Sequence, residues 1–164
     1  MGSDVHGTTI GILGLGRIGS AVARRAKGIS HPLTCIIYHN RHNRKNLQME
    51  EQVVAKYVEM DDLMQESDFL SIQCSLNSKS YHLIDKPKPR RMKKSSYLIN
   101  TARGQIINET HLIHALKQGW ISGAGLDVFE KEPSSSDNPL LKMNNVVLLP
   151  HIGSATFLTR RKMA

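Results

Sequence analysis

Short runs of apolar, often β-branched residues alternate along this chain with stretches whose apolar positions recur every three to four residues. Residues 8–13 (Thr-Thr-Ile-Gly-Ile-Leu) form the first run and predict a buried strand. Ile18, Ala21, Val22, Arg25 and Ala26 then fall at helical spacing, and Gly28 stands where a helix stops. His31-Pro32 turns the chain into a second strand over 33–38. Further strands are predicted over 68–74, 97–101, 123–128 and 146–149. A short acidic helix is expected over 61–67, and a longer one from an Asn108 cap to about Gln118, ended by Gly119. Strands alternating with helices imply an α/β fold: a doubly wound, mostly parallel sheet with right-handed crossovers. Nothing linker-like divides the chain, so 1–164 reads as one domain.

Between the first strand and the first helix lies Gly14-Leu15-Gly16-Arg17-Ile18-Gly19. Three glycines at this spacing have a specific use in a strand–loop–helix setting. The first permits a tight turn, the second lets backbone approach a pyrophosphate, and the third lets helix and strand pack closely. The helix N-terminus adds unpaired N–H groups and a favourable dipole for the anion. A Rossmann-like dinucleotide-binding domain follows. Such sites usually place Asp or Glu at the end of the second strand, for the ribose 2′-hydroxyl. Here that place reads Tyr38-His39-Asn40-Arg41-His42, without a carboxylate. Arg41 can pair a phosphate through two N–H groups, and Arg44 and Lys45 add to the same field. NADP(H) is therefore the expected cofactor, with NAD(H) possible.

Composition narrows the class further. At 40% apolar and 22% charged residues, the 164-residue chain suits a folded domain rather than a disordered one. No apolar run exceeds about four residues, which excludes a membrane-spanning helix from the reading. Cys35 and Cys74 are the two cysteines, too few for a disulfide framework, and a cytoplasmic, reducing setting is expected. Both sit in apolar strands and are expected in the core. The formal charge of +8 admits a nucleic-acid partner, but only 5% of residues are aromatic and no recognition-helix pattern appears. No nucleic acid, membrane or metal site is assigned.

Four separated segments carry a resemblance: residues 14–19, Asn-Thr-Ala-Arg-Gly at 100–104, Gly-Ala-Gly-Leu-Asp-Val-Phe-Glu-Lys-Glu-Pro at 123–133, and Leu-Pro-His-Ile-Gly-Ser at 149–154. In this order they resemble the D-isomer-specific 2-hydroxyacid dehydrogenases, most closely the glyoxylate and hydroxypyruvate reductase branch. The resemblance implies that Arg103 clamps the carboxylate of a 2-oxo acid, that Glu132 pairs with a catalytic His151, and that Asp127 holds the nicotinamide carboxamide. It further implies a cofactor surface of Gly14, Leu15, Gly16, Arg17, Ile18, Gly19, Asn40, Arg41, His42, Cys74, Ser75, Thr101, Ala102, Arg103, Asp127, His151 and Gly153. Family members usually carry segments on both sides of this unit that form a substrate domain. The chain is accordingly read as the cofactor domain, with the substrate domain absent. Pro87, Pro89 and Arg91 depart from the family pattern and predict an irregular short helix before Met92.

The residue types fit that chemistry independently. Reducing a carbonyl leaves charge on oxygen, so a proton donor must stand within hydrogen-bond reach. Histidine titrates near neutrality, and a carboxylate partner fixes its tautomer. A guanidinium matches a carboxylate as a planar fork. The remaining histidines, among them His6, His31, His82, His111 and His114, show no partner logic and are expected at the surface. A small 2-oxo or 2-hydroxy acid is the expected substrate and a second copy of the chain the expected partner. Two other classes stay open: a non-catalytic NAD(P)-binding or sensing module, and a corepressor-like interaction protein.

Overall fold

A computed structural model describes residues 3–29, 35–40 and 47–163. Seven strands form one parallel sheet: β1 (Thr9–Leu13), β2 (Cys35–His39), β3 (Ala55–Tyr57), β4 (Phe69–Ile72), β5 (Tyr97–Asn100), β6 (Gly123–Leu126) and β7 (Val146–Leu148). Their order is β3-β2-β1-β4-β5-β6-β7. The helices are α1 (Arg17–Ile29), α2 (Leu47–Val53), α3 (Met60–Glu66), α4 (Pro87–Arg91), α5 (Glu109–Lys117) and α6 (Phe157–Met163).

Helices on both faces explain why the inner strands read as continuous apolar runs rather than alternating ones. Ile12, Leu70, Ile72 and Leu98 are wholly buried. One core cluster gathers Leu63, Leu70, Ile72, Leu98 and Leu112. The other joins Ile12, Tyr38 and Val53 to Leu15 and Ala23. Local chemistry sets the helix ends. Asn108 Oδ1 accepts from His111 N at 3.0 Å, capping α5, and Gly119, at φ +62°, lies just past its end.

β1 pairs with β2 on one side and with β4 on the other. The direction of winding therefore reverses between β1 and β4, and open parallel sheets leave a crevice beyond the carboxyl ends of strands at such a point.

Three expectations need correction. Cys35 is exposed, not in the core, because it opens β2 at the solvent end of that strand. Helix α4 is formed rather than irregular: Pro87 stands in its first turn, where no N–H is required, and Pro89 is buried. The edge strand β3 and helix α2 were not foreseen. β3 is three residues long and pairs with β2 alone, so no long apolar period announces it. The turn expected at His31-Pro32 lies outside the described residues.

Candidate active site

The crevice at the reversal point is a cleft of about 540 Å³ running past the glycine loop. The three glycines divide their work. A Cβ at Gly14, at φ +104°, would come within 2.8 Å of Cys74 N, and one at Gly19 would collide with the Gly14 carbonyl. Those two are demanded by packing. A Cβ at Gly16 would meet nothing within 4 Å. A side chain there would extend into the cleft, so the bare backbone at Gly16 leaves room for a molecule to approach closely. Ser20 N donates to Gly16 O at 2.8 Å in the first turn of α1. The helix N–H groups ahead of it have no carbonyl one turn back and are available to an anion.

Asn40 holds the loop from the next strand, its Oδ1 accepting from Leu15 N at 2.7 Å. Among the described residues the lining contains no carboxylate and one formal cation, Lys79. Gly14, Gly16, Asn40, Cys74 and Ser75, which were expected on the cofactor surface, all border the cleft. His39, Met60, Gln73, Asn77 and Lys79 border it too and were missed. Gln73 and Lys79 follow β4, and position just past a central strand was the available signal. The Leu15 side chain is instead a core residue, 2% exposed. Arg41 and His42 lie outside the described residues. A cleft whose described lining has no carboxylate and includes the bare backbone of Gly16 is compatible with a dinucleotide.

Two strands further along, His151 follows β7 and Glu132 lies on the loop after β6. His151 Nδ1 donates to Glu132 Oε2 at 2.8 Å, and Phe129 N donates to Glu132 Oε1 at 3.0 Å. The hydrogen bond from His151 holds the Glu132 carboxyl below its ordinary range; partial burial opposes this, while the Phe129 N–H and the charges of His151 and Arg103 reinforce it. An ionised Glu132 can only accept, so Nδ1 carries the proton and Nε2 is the ring's remaining functional nitrogen. Arg103 acts on Glu132 through its charge, while its own Nη1 donates to Ala102 O at 2.6 Å.

Asp127, just past β6, is 4% exposed. Its Oδ1 accepts from Ile152 N at 2.8 Å and its Oδ2 from Gly153 N at 2.7 Å. It thereby shapes the turn that carries His151, whose φ is +55°, and each oxygen keeps a further lone pair. Thr101 Oγ1 accepts from Gln73 Nε2 at 3.2 Å, joining the ends of β4 and β5. His82 was expected to be an unpartnered surface residue; its Nε2 lies 2.7 Å from Glu130 Oε1. That contact spans 48 positions, beyond the reach of local pattern.

A family model described as "D-isomer specific 2-hydroxyacid dehydrogenase, NAD binding domain" matches residues 1–153. A glyoxylate reductase of Korarchaeum cryptofilum (strain OPF8) is 48% identical over 164 residues, covering all of this chain and 48% of that protein. A glyoxylate/hydroxypyruvate reductase B of Enterobacter sp. (strain 638) is 49% identical, covering 99% of this chain and 49% of that protein. The crystal structure of a glyoxylate reductase from Paecilomyes thermophila superposes with a TM-score of 0.90 at 42% identity, over 99% of this chain and 48% of that one. The chain thus spans about half the length of the relatives it matches. The chain belongs to the NAD-binding domain of the D-isomer-specific 2-hydroxyacid dehydrogenases.

Proposed function

We propose that this chain is the cofactor-binding half of an NADP(H)-preferring reductase of small 2-oxo acids of the glyoxylate and hydroxypyruvate type. One observation carries the reading: an ionised glutamate hydrogen-bonded at 2.8 Å to a histidine beyond the carboxyl end of the sheet. The similarity to reductases so named supports the substrate class.

A reduced nicotinamide dinucleotide, with its pyrophosphate at the glycine loop, would supply the hydride. This chain's residues do the rest. The α1 N-terminus and the backbone at Gly16 hold the pyrophosphate. Arg103 receives the carboxylate of the oxo acid as a planar fork, which fixes which carbonyl face is presented. His151 gives a proton from Nε2 to the oxygen that becomes a hydroxyl, while Glu132 keeps Nδ1 occupied and the ring in place. Asp127 holds the backbone beside His151 and keeps a lone pair for the carboxamide. The carboxylate-free end of β2, with Arg41 next to Asn40, favours a 2′-phosphate.

The proposal extends to a homodimer, read by light scattering, and to a cytoplasmic setting, consistent with the free thiols Cys35 and Cys74. NADPH consumption on addition of glyoxylate tests the activity in the protein that carries this chain. His151→Gln is expected to cut turnover about 10²–10⁴-fold, the usual worth of a placed acid; undiminished turnover overturns the assignment. Arg41→Ala is expected to weaken NADPH binding by about 1–3 kcal/mol and leave NADH binding nearly unchanged. Equal affinities for both cofactors, unaffected by the substitution, overturn the preference.

A further inference from the structure

The loop after β6 carries a second histidine–glutamate pair that the proposed reaction does not use. Glu130, two residues before Glu132, meets a different set of partners. Its Oε1 lies 2.7 Å from His82 Nε2, and its Oε2 accepts from Glu109 N, the first residue of α5, at 3.0 Å. Glu109 returns the contact, its Oε2 accepting from Glu130 N at 3.2 Å. The backbone carbonyl of Glu130 accepts from Gln105 Nε2 at 3.0 Å. Every polar atom of Glu130 is therefore engaged, by partners from three separate segments.

The tautomer of His82 follows from its neighbours. Asn108 Oδ1 is occupied as the cap of α5, which leaves Asn108 Nδ2, a donor, facing His82 Nδ1 at 3.4 Å. Nδ1 accepts, so Nε2 carries the proton and donates to Glu130. His82 sits at φ +49°, a backbone conformation that non-glycine residues adopt only when their surroundings hold them there. Its N–H donates to Gln105 O at 2.8 Å, and its ring stacks on Tyr81 with centroids 4.0 Å apart. The carboxylate that meets His151 thus extends from an irregular loop with no ladder of its own, fastened on its far side by Glu130. A Cβ at Gly104 would overlap the Phe129 backbone, so this loop also lies directly against the segment that follows Arg103.

We infer that His82 and Glu130 are positioning residues for the Glu132–His151 pair: the first pair anchors the loop so that the second can form. Where it concerns turnover, this rests on the proposed reductase reading; the geometric part does not.

Carbon-detected NMR titration of the Glu132 carboxyl tests it on this chain. Glu130→Ala and His82→Ala are each expected to move the Glu132 midpoint up toward that of an ordinary glutamate, as His151→Gln does. In a His151→Gln background, Glu130→Ala is expected to add nothing, because its effect passes through the same hydrogen bond. Asp85→Ala, which breaks the surface pair with Lys88 (2.9 Å), is the control and should leave the midpoint in place. If Glu130→Ala fails to fold, Glu130→Gln keeps the size and removes the charge that faces Glu109 N. An unmoved midpoint in the folded variants overturns the inference. So does a shift that adds in full to that of His151→Gln, which marks general loosening. Absence of oxo-acid reduction overturns the reductase reading and leaves this result standing.

Discussion

Gly153 N donates to Asp127 Oδ2 at 2.7 Å, and a Cβ at Gly153 would stand only 2.9 Å from that same oxygen. The closeness of this approach ties the end of β6 to the turn after β7, one residue beyond Ile152, whose N–H takes the other Asp127 oxygen. His151 is held between that clamp and Glu132.

Asp127→Ala leaves two backbone N–H groups without their carboxylate. The expected cost is about 1–2 kcal/mol, for two hydrogen bonds that are lost where the carboxylate is buried but the donating residues are exposed. Urea unfolding with an unchanged m-value measures it. A loss below about 0.5 kcal/mol places the clamp among dispensable surface contacts.

Gly16→Val and Gly19→Val should separate binding from folding. The first puts a side chain into open cleft space, so the melting temperature should stay close to wild type while NADPH titration shows no binding. The second forces a collision with the Gly14 carbonyl, so the chain should lose stability outright. A Gly16→Val chain that binds NADPH normally rules out a phosphate cradle at this loop.

Lys79 gives the cleft's described lining its one formal cation. Lys79→Glu reverses that charge and should weaken dinucleotide binding about tenfold or more at low salt, equivalent to 1.4 kcal/mol or above. The loss should shrink as salt screens the cleft. Salt-independent affinities identical to wild type contradict the electrostatic role.

Glu132 should remain ionised further into acid than a free glutamate, since the His151 hydrogen bond lowers its pKa. The sign for stability follows. A depressed carboxyl pKa contributes stability that is fully present above the unfolded-state value and is lost as pH falls through the folded-state value. The pair is half-exposed, so the contribution is small. His151→Gln should bring the Glu132 titration up toward the ordinary range and flatten that acid limb. A Glu132 midpoint that His151→Gln does not move separates the two residues electrostatically.

What local order could announce was legible in the chain. β1, β4 and β5 are apolar runs because both of their faces are covered, and α1 and α5 show their period; Gly119 marks the stop of α5, whereas α1 runs through Gly28 to Ile29 instead of stopping there. Gly14, Gly16 and Gly19 declare a turn, a bare backbone and a close packing from spacing alone. Glu132 and His151 were reached through the motifs they stand in, since nothing in their separation of 19 positions pairs them. The sheet made the pair by setting β6 beside β7, so that the loops after both strands leave from the same edge. The same cause hid the rest. His82 and Glu130 lie 48 positions apart, and each alone looks like an ordinary surface residue. β3 exists because β2 offers it an edge. Cys35 reads as core by its neighbours, yet it opens its strand where the sheet meets solvent. Backbone period is a local property and is written locally; which polar side chains meet depends on strand order, which takes shape only when distant segments pack.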